Sequence, residues 1–250
     1  MKEIVVIPAY REEATITTVI QSVKRVLPGC AVLVIDDGSP DSTGIHARQS
    51  GAFVLKFPYN VGIGGAIQMG LKFAVMQDYD IIVRLDGDGQ HPPEAIPLLL
   101  APVAENIVDV AFGSRFCAGA VPPKIGFARR IGIFVFRVLT TWFTRQKITD
   151  PTSGYMVMNR KAASFLATNL EHDYPEVDAR VLLARAGFRM KEYPINMRTR
   201  QGGISSIDTW SAVYYMFKVT VACLAANSRK LNPAYTRMHY SSGPNSITTK

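Results

Sequence analysis

Residues 81–93 read Ile81-Ile82-Val83-Arg84-Leu85-Asp86-Gly87-Asp88-Gly89-Gln90-His91-Pro92-Pro93. The apolar run predicts a buried strand, and the glycines and prolines after it predict an exposed loop that is not helical. Asp86 and Asp88 place two carboxylates at the carboxyl end of that strand, where open α/β sheets bind their ligands. A divalent cation that bridges carboxylate and phosphate oxygens would relieve their repulsion. Because an isolated Asp-x-Asp is more often a solvated turn, the rest of the chain has to decide between the two interpretations.

The composition is that of a globular chain whose positive charge is unevenly distributed. The 250 residues are 48% hydrophobic, enough for a sizeable core in one α/β domain or in two small ones. The formal net charge is +8, and no acidic residue occurs from Val110 to Thr149. That interval contains seven basic residues: Arg115, Lys124, Arg129, Arg130, Arg137, Arg145 and Lys147. Such a patch suits phosphate groups, nucleic acid or an anionic membrane surface.

The cysteines and the apolar runs predict a cytoplasmic location. Cys30, Cys117 and Cys223 have neither paired nor metal-like spacing, so we expect free thiols in a reducing compartment. The chain begins directly in a strand-like run, which leaves no room for a signal peptide. No uninterrupted apolar run reaches the ~18 residues of a clear membrane span. We therefore expect a cytoplasmic protein that can lie against a membrane.

Strand-like and helix-like segments alternate through the first half of the chain. The predicted strands are residues 3–8, 31–35, 52–57, 80–85 and 108–112, and the predicted helices are residues 10–27, about 60–76 and 92–104. This alternation favours right-handed crossovers and a mainly parallel sheet with helices on both faces. Loops that follow successive strands then gather at one edge of the sheet. We expect Asp37, the loop 60–65 and the pair Asp86 and Asp88 to meet there.

The second half has a different character, beginning at Pro122. Residues 122–147 combine apolar, helix-spaced side chains with the basic residues, which is typical of one or two amphipathic helices in a membrane interface; an ordinary core helix with a solvated basic face is the alternative. Further on, the patterns predict a strand at 155–158, an edge strand at 189–195, helices at 161–169 and 176–187, an apolar helix at 209–226 and a disordered tail at 227–250. We see no domain boundary before Pro122, so residues 1–226 are predicted to form a single domain.

Six motifs in order resemble glycosyltransferase family 2, and in particular its branch of polyprenyl-phosphate sugar synthases, similar to dolichol-phosphate mannose synthase. They are Val6-Ile7-Pro8-Ala9-Tyr10-Arg11-Glu12-Glu13, Ile35-Asp36-Asp37-Gly38-Ser39, Asn60-Val61-Gly62-Ile63-Gly64-Gly65-Ala66, Asp86-Gly87-Asp88-Gly89-Gln90-His91, Gly113-Ser114-Arg115-Phe116 and Asp150-Pro151-Thr152-Ser153-Gly154-Tyr155. Each is weak alone, and the resemblance covers roughly residues 4–206.

The resemblance implies a GT-A fold, a Rossmann-like sheet that binds a nucleotide-diphosphate sugar such as a GDP- or UDP-sugar together with Mg2+ or Mn2+. It places Pro8, Ala9, Tyr10, Glu12, Asp37, Gly64, Asp86, Gly87 and Asp88 in the donor site. It gives the metal to Asp86, Asp88 and Gln90. It gives the acceptor phosphate to Arg115, Arg129, Arg130, Arg198, Arg200 and Ser205, and it makes Asp88, Arg115 and Asp178 the catalytic candidates.

The acceptor decides whether a base is needed. An alcohol acceptor requires a general base, normally a carboxylate, and Glu176 and Asp178 are the candidates. A polyprenyl phosphate is already an anion at neutral pH, so it requires a cationic seat instead, which the basic segment can supply. The sequence leads us to expect an inverting transfer of a hexose to a polyprenyl phosphate at the cytoplasmic face of the cell membrane.

Three alternatives to this function stay open at this level. They are a hydroxyl-acceptor transferase of the same family, a non-catalytic nucleotide-sugar-binding protein and a nucleic-acid-binding protein. The last is poor, because the aromatic residues are helix-spaced rather than arranged as a stacking platform. Many related glucosyltransferases continue into two transmembrane helices, whereas this chain offers only residues 210–226. Attachment is therefore expected to be peripheral or through a small membrane partner subunit.

Overall fold

The structure, a computed structural model, describes residues 1–122, 126–170 and 175–198. Seven strands form one sheet in the order β3-β2-β1-β4-β6-β5-β7. Their bounds are β1 Glu3–Ala9, β2 Ala31–Asp36, β3 Phe53–Lys56, β4 Ile81–Arg84, β5 Val110–Ser114, β6 Met156–Asn159 and β7 Met190–Pro194. All neighbouring pairs are parallel except those that β6 makes with β4 and β5. The mainly parallel sheet expected from the sequence is confirmed.

The helices cover both faces of this sheet. They are α1 Ile16–Val26, α2 Thr43–Gln49, α3 Ile63–Met76, α4 Ile96–Ala104, α5 Phe127–Thr144, α6 Arg160–Asn169 and α7 Pro175–Arg185, with a short 3-10 turn at Pro93–Ala95. Two separate hydrophobic cores result, because β1 directs Ile4 and Val6 to one face and Val5 and Ile7 to the other. Continuous apolar runs in the central strands are the sequence signature of a sheet covered on both sides.

Two local expectations need correction or narrowing. The first helix begins at Ile16 rather than at residue 10, because Arg11 adopts a left-handed backbone (φ 57°) and the Glu12 carbonyl accepts the amides of Thr15 and Ile16. In the described part of the basic segment there is one helix, α5, and not a pair. The edge position predicted for the strand at 189–195 is confirmed by β7. The predicted helix at 209–226 and the tail at 227–250 lie outside the described residues.

Candidate active site

The loops that follow β1, β2, β3 and β4 are in direct contact at the carboxyl edge of the sheet. The Asp37 amide donates to the Ala9 carbonyl at 2.9 Å, which joins the first two loops. Thr15 Oγ1 donates to the Gly87 carbonyl at 2.8 Å, which joins the carboxylate loop to the start of α1. The Gly62 amide donates to Asp37 Oδ2 at 3.0 Å, which brings in the loop before α3. The convergence expected from the topology is therefore confirmed.

Asp37, expected to contact a base or ribose, organises the loop that precedes α3. It is 3% exposed, and its Oδ1 and Oδ2 accept the amides of Val61 at 2.7 Å and Gly62 at 3.0 Å. Gly62 has a φ of 90°, so the chain reverses there at little steric cost. Gly64 follows, buried near the start of α3. Asp37 thus holds the glycine-rich loop against β2, and its contact with a nucleotide stays a prediction.

The segment 8–12 packs against the carboxylate loop. Pro8 and Ala9 are buried at the end of β1, and a Cβ added to Gly87 would lie 3.5 Å from Ala9 Cβ, Glu12 Cγ and the Pro8 carbonyl. Glu12 is also buried, and its Oε2 accepts Thr15 Oγ1 at 3.0 Å. Tyr10 is 40% exposed at the rim. Gly87, between the two carboxylates, therefore lies directly beside the predicted nucleotide segment.

Asp86 and Asp88 are accessible to a ligand. The Asp86 side chain is 31% exposed, and Asp88 is half-buried, with its Oδ1 accepting the Gln90 amide at 3.0 Å. Within the described ranges no three His, Cys, Asp or Glu side chains form a complete metal ligand set. Two carboxylates nevertheless fit a hard cation such as Mg2+, which commonly completes its shell with substrate phosphates and water. The donor set thus matches a metal that arrives with a diphosphate.

His91 closes the inner side of this loop. It is 4% exposed, its ring stacks on Tyr155 at 4.9 Å, and its Nδ1 accepts the Asp86 amide at 3.0 Å. The proton of the neutral ring is then on Nε2, 3.7 Å from Asp86 Oδ2. Burial lowers the pKa of His91, and the charges of Asp86 and Arg84 act on that pKa in opposite directions. His91 therefore lies between the carboxylate loop and Tyr155.

Arg84 is a functional candidate that sequence reasoning missed. It is fully buried on β4, and its Nη2 donates to Asp86 Oδ1 at 3.1 Å and to Glu176 Oε1 at 2.8 Å. Burial acts to lower the pKa of Arg84, but the two carboxylates outweigh it and raise the pKa, so the guanidinium is charged. An arginine inside an apolar strand was a signal in itself, because a buried charge requires partners.

Arg115, the predicted seat for the acceptor phosphate, follows β5 and is held by Asp150. Its Nε and Nη2 donate to the two carboxylate oxygens of Asp150, each at 2.7 Å, and Nη2 also donates to Thr152 Oγ1 at 2.8 Å. Burial acts to raise the pKa of Asp150, but the bonds and charge of Arg115 outweigh it and lower that pKa. This bidentate pair fixes the orientation of the guanidinium plane. Arg115 as a residue is 9% exposed.

The two candidate bases on α7 differ in their surroundings. The Glu176 carboxylate is bound to Arg84. Asp178 is 5% exposed, and burial raises its pKa to about 7. A carboxyl group titrating near neutral pH has the basicity that general-base catalysis favours. Of the two, Asp178 has the pKa of a base and Glu176 has the contacts of a counter-ion.

The remaining predicted acceptor residues are only partly described. The Arg198 amide donates to the Gln90 carbonyl at 2.9 Å and its Nη2 to Glu94 Oε2 at 2.8 Å, which places Arg198 over the carboxylate loop. Arg130 is exposed on α5. Arg129 lies in the first turn of α5, and its side chain is outside the described part of the structure, as are Arg200 and Ser205 altogether.

Helix α5 presents an apolar stripe to solvent. The exposed side chains Ile131, Phe134, Val138 and Trp142 recur every three or four residues and so share one face. Trp142 is 71% and Phe134 55% exposed, and exposed Arg137 lies 5.3 Å from the Phe134 ring. Among the helices of the described residues, none has the length and apolarity that would be needed to cross a membrane.

The fold and this edge define a class. A mainly parallel Rossmann-like sheet with an Asp-x-Asp loop at its carboxyl edge is that of a GT-A glycosyltransferase. Residues 4–166 match the family Glycosyl transferase family 2, and the chain belongs to that family; it is a glycosyltransferase. The alternatives of a non-catalytic nucleotide-sugar-binding protein and a nucleic-acid-binding protein are accordingly set aside.

Relatives place the chain in the polyprenyl-phosphate sugar transferase branch. It is 30% identical to an undecaprenyl-phosphate mannosyltransferase of Micrococcus luteus over 83% of this chain and 88% of the relative. It is 27% identical to a polyprenol monophosphomannose synthase of Mycolicibacterium smegmatis over 87% of this chain and 85% of the relative. Among solved structures, glucosyl-3-phosphoglycerate synthase from Mycobacterium tuberculosis, in complex with Mn2+, UDP and glucosyl-3-phosphoglycerate, superposes with a TM-score of 0.69 at 23% identity, covering 90% of this chain and 79% of that one. The GT-A fold expected from the motifs is confirmed.

Proposed function

We propose that this chain transfers a hexose from a nucleotide-diphosphate sugar to a polyprenyl phosphate, with inversion at the anomeric carbon. The observation that carries the proposal is that the 150–155 motif contacts both predicted binding regions: Tyr155 stacks on His91, which accepts the Asp86 amide, and Asp150 binds Arg115. The predicted anion site at Arg115 and the predicted metal-diphosphate site at Asp86 are thus connected through one loop. The names of the relatives from Micrococcus luteus and Mycolicibacterium smegmatis support a polyprenyl phosphate as the acceptor.

On the donor side, Asp86 and Asp88 would hold Mg2+ or Mn2+ with the diphosphate, and Gln90 lies next to them. When bound, the metal neutralises the negative charge that develops on the leaving diphosphate. The segment 8–12 and Asp37 would flank the nucleotide, because that segment lies beside Gly87 and the Asp37 amide donates to the Ala9 carbonyl. The carboxylates therefore hold the leaving group and are not bases.

On the acceptor side, Arg115 would orient the phosphate nucleophile. One phosphate oxygen forms a bond to the anomeric carbon while the bond from that carbon to the diphosphate oxygen breaks, and the electron pair leaves with the nucleoside diphosphate. Because the polyprenyl phosphate is anionic at neutral pH, no proton has to be removed from it. Exposed Arg130 and half-exposed Arg198 would add positive charge to the same approach.

A thermal-shift panel tests the donor side. We expect a nucleoside diphosphate to raise the Tm of the purified chain only together with Mn2+. The one among GDP, UDP and dTDP that raises the Tm identifies the base of the donor. Asp88→Asn should abolish the Mn2+-dependent part of the shift. A shift that is identical with and without Mn2+ in both proteins would contradict the assignment of the metal site.

Peripheral attachment at the cytoplasmic face of a membrane would place the enzyme at its acceptor. The apolar stripe of α5 with Arg130 and Arg137 beside it suits an anionic bilayer surface. Trp142→Ser should reduce co-sedimentation with vesicles that contain anionic lipid, whereas Met76→Ser, at a 77% exposed residue of α3, should not. Equal loss in both variants, or in neither, would contradict attachment through α5.

A second candidate function is transfer to a sugar hydroxyl with Asp178 as the general base. The pKa of about 7 that burial gives Asp178 favours it. Asp178→Asn separates the two functions. With a hydroxyl acceptor the variant should lose nearly all turnover at unchanged donor affinity. With a phosphate acceptor it should retain most of its turnover.

A further inference from the structure

The contacts of Arg84 join two parts of the site that come from distant parts of the chain. Its Nη2 contacts Asp86 Oδ1 at 3.1 Å and Glu176 Oε1 at 2.8 Å, so one nitrogen connects the carboxylate loop to the first turn of α7. Asp86 is 31% exposed and Glu176 is 18% exposed, whereas the arginine side chain between them is 1% exposed. The bridge therefore has a buried centre and ligand-accessible ends.

Burying the guanidinium of Arg84 in this strand destabilises the folded state. Among the described residues, its Nε and Nη1 are buried and have no hydrogen-bond partner. A buried donor without a partner opposes folding, and apolar residues in place of a buried ion pair are often neutral or stabilising. Strand β4 is otherwise Ile81-Ile82-Val83, so an apolar residue would suit position 84. The charge is better explained by the groups it contacts than by the stability of the sheet.

The position of the guanidinium is set by the motif that begins at Asp150. A Cβ added to Gly154 would lie 2.5 Å from Nη1 and 2.7 Å from Nη2 of Arg84. Only glycine lets the backbone approach the guanidinium this closely. The same motif supplies Asp150, which fixes Arg115 on the acceptor side. A single loop thus confines both arginines.

We propose that Arg84 is a positioning residue for the metal-diphosphate site, which fixes the Asp86 carboxylate and uses Glu176 as its second counter-ion. The role rests on the proposed function, since it needs a metal at Asp86. Outer partners of ligating carboxylates orient them, and losing one typically costs about 10–100-fold in metal affinity or activity. Glu176 then acts through Arg84 and is not the base of a hydroxyl transfer.

The test measures Mn2+ affinity of the purified full chain in two variants that keep the local charge. Arg84→Lys retains the positive charge but loses the guanidinium geometry. Gly154→Ala retains Arg84 but forces its guanidinium to move. We expect each variant to weaken Mn2+ binding about ten-fold or more, measured by the electron paramagnetic resonance of free Mn2+. If Arg84→Lys does not fold, Gly154→Ala alone decides.

Arg180→Lys is the matched control. Arg180 is a second fully buried arginine, on α7, and its described contacts are with the Asp150 carbonyl at 2.8 Å, Glu192 at 3.6 Å and the Phe112 ring at 3.8 Å. The control should bind Mn2+ within about two-fold of the unaltered chain even if its Tm falls. If Arg180→Lys lost as much Mn2+ affinity as Arg84→Lys, the loss would reflect general damage to the fold from replacing a buried arginine. That result would overturn the proposal.

A further variant examines Glu176. Glu176→Gln should weaken Mn2+ binding a few-fold and lower kcat by less than ten-fold, because it removes a counter-ion only. A loss of kcat above a thousand-fold at unchanged Mn2+ affinity would make Glu176 a base and overturn the proposal.

The outcomes separate this role from the proposed function. If the unaltered chain binds Mn2+ but Arg84→Lys and Gly154→Ala bind it equally well, the role of Arg84 is wrong and the proposed function is untouched. If the unaltered chain binds no Mn2+ in the presence of a nucleoside diphosphate, the proposed metal-dependent function is contradicted. The positioning role of Arg84 is then contradicted as well.

Discussion

The buried carboxyl of Asp178 gives a pH-dependent stability that can be calculated from the structure. Burial raises its folded-state pKa to about 7, against ~3.9 for an unfolded Asp. Between these two values the unfolded chain has released a proton that the folded chain still holds, so the free energy of unfolding falls as the pH rises. At ~1.4 kcal/mol per pKa unit, the penalty from this group grows by about 2–3 kcal/mol from pH 5 to pH 8.

Asp178→Asn removes this penalty. The free energy of unfolding of the variant, relative to the unaltered chain, should therefore rise by about 2–3 kcal/mol between pH 5 and pH 8, measured by urea unfolding at each pH. Asp109→Asn is the control. Burial acts to raise the pKa of Asp109, but hydrogen bonds from Arg189 outweigh it and lower that pKa. Asp109 is then ionised in both the folded and the unfolded state from pH 5 to pH 8. The difference in the free energy of unfolding between Asp109→Asn and the unaltered chain should therefore not change with pH. A flat difference for Asp178→Asn as well would mean that folding does not raise the pKa of Asp178.

Further predictions concern the binding site for the acceptor phosphate and the packing of the sheet. Arg115→Lys keeps the positive charge but loses the bidentate pair with Asp150, so the KM for polyprenyl phosphate should rise about ten-fold while the KM for the donor stays the same. Steady-state kinetics with each substrate varied in turn measures both constants, and equal changes in the two would contradict this prediction. Gly70→Ala would overlap Val6 Cγ1 and should lower the free energy of unfolding by about 1–3 kcal/mol. Gly126→Ala, which meets no described atom within 4 Å, should change it little; denaturant unfolding that ranks the two in reverse would contradict the packing argument.

The donor half of the fold was predictable because its signals are local. Buried parallel strands appear as apolar runs, and loops that follow such strands meet at one edge of the sheet, as the Thr15–Gly87 contact shows. The place of β6 was not predictable. Its antiparallel pairing between β4 and β5 depends on the path of the chain from residue 114 to 156, and no local pattern encodes that path.

The candidate site was predicted by motif and refined by contacts. Asp86, Asp88 and Arg115 were singled out from the sequence, but the pairs Arg115–Asp150 and Arg84–Glu176 were not, because a hydrogen bond between residues 35 or 92 positions apart leaves no periodic signal. Arg84 had a signal that was overlooked, since a charge in an apolar strand demands a partner. Asp150 was part of a recognised motif, yet only the structure shows that it holds Arg115.

The proposed nucleophile of the transfer is a lipid phosphate. The most direct measurement supplies the purified chain with Mn2+, a labelled nucleotide sugar, and undecaprenyl phosphate, undecaprenol or a saccharide in parallel. We expect label in the lipid extract only in the reaction with undecaprenyl phosphate, as a sugar joined through the phosphate. Label transferred to the saccharide, with none in the lipid extract for any common nucleotide sugar, would contradict it.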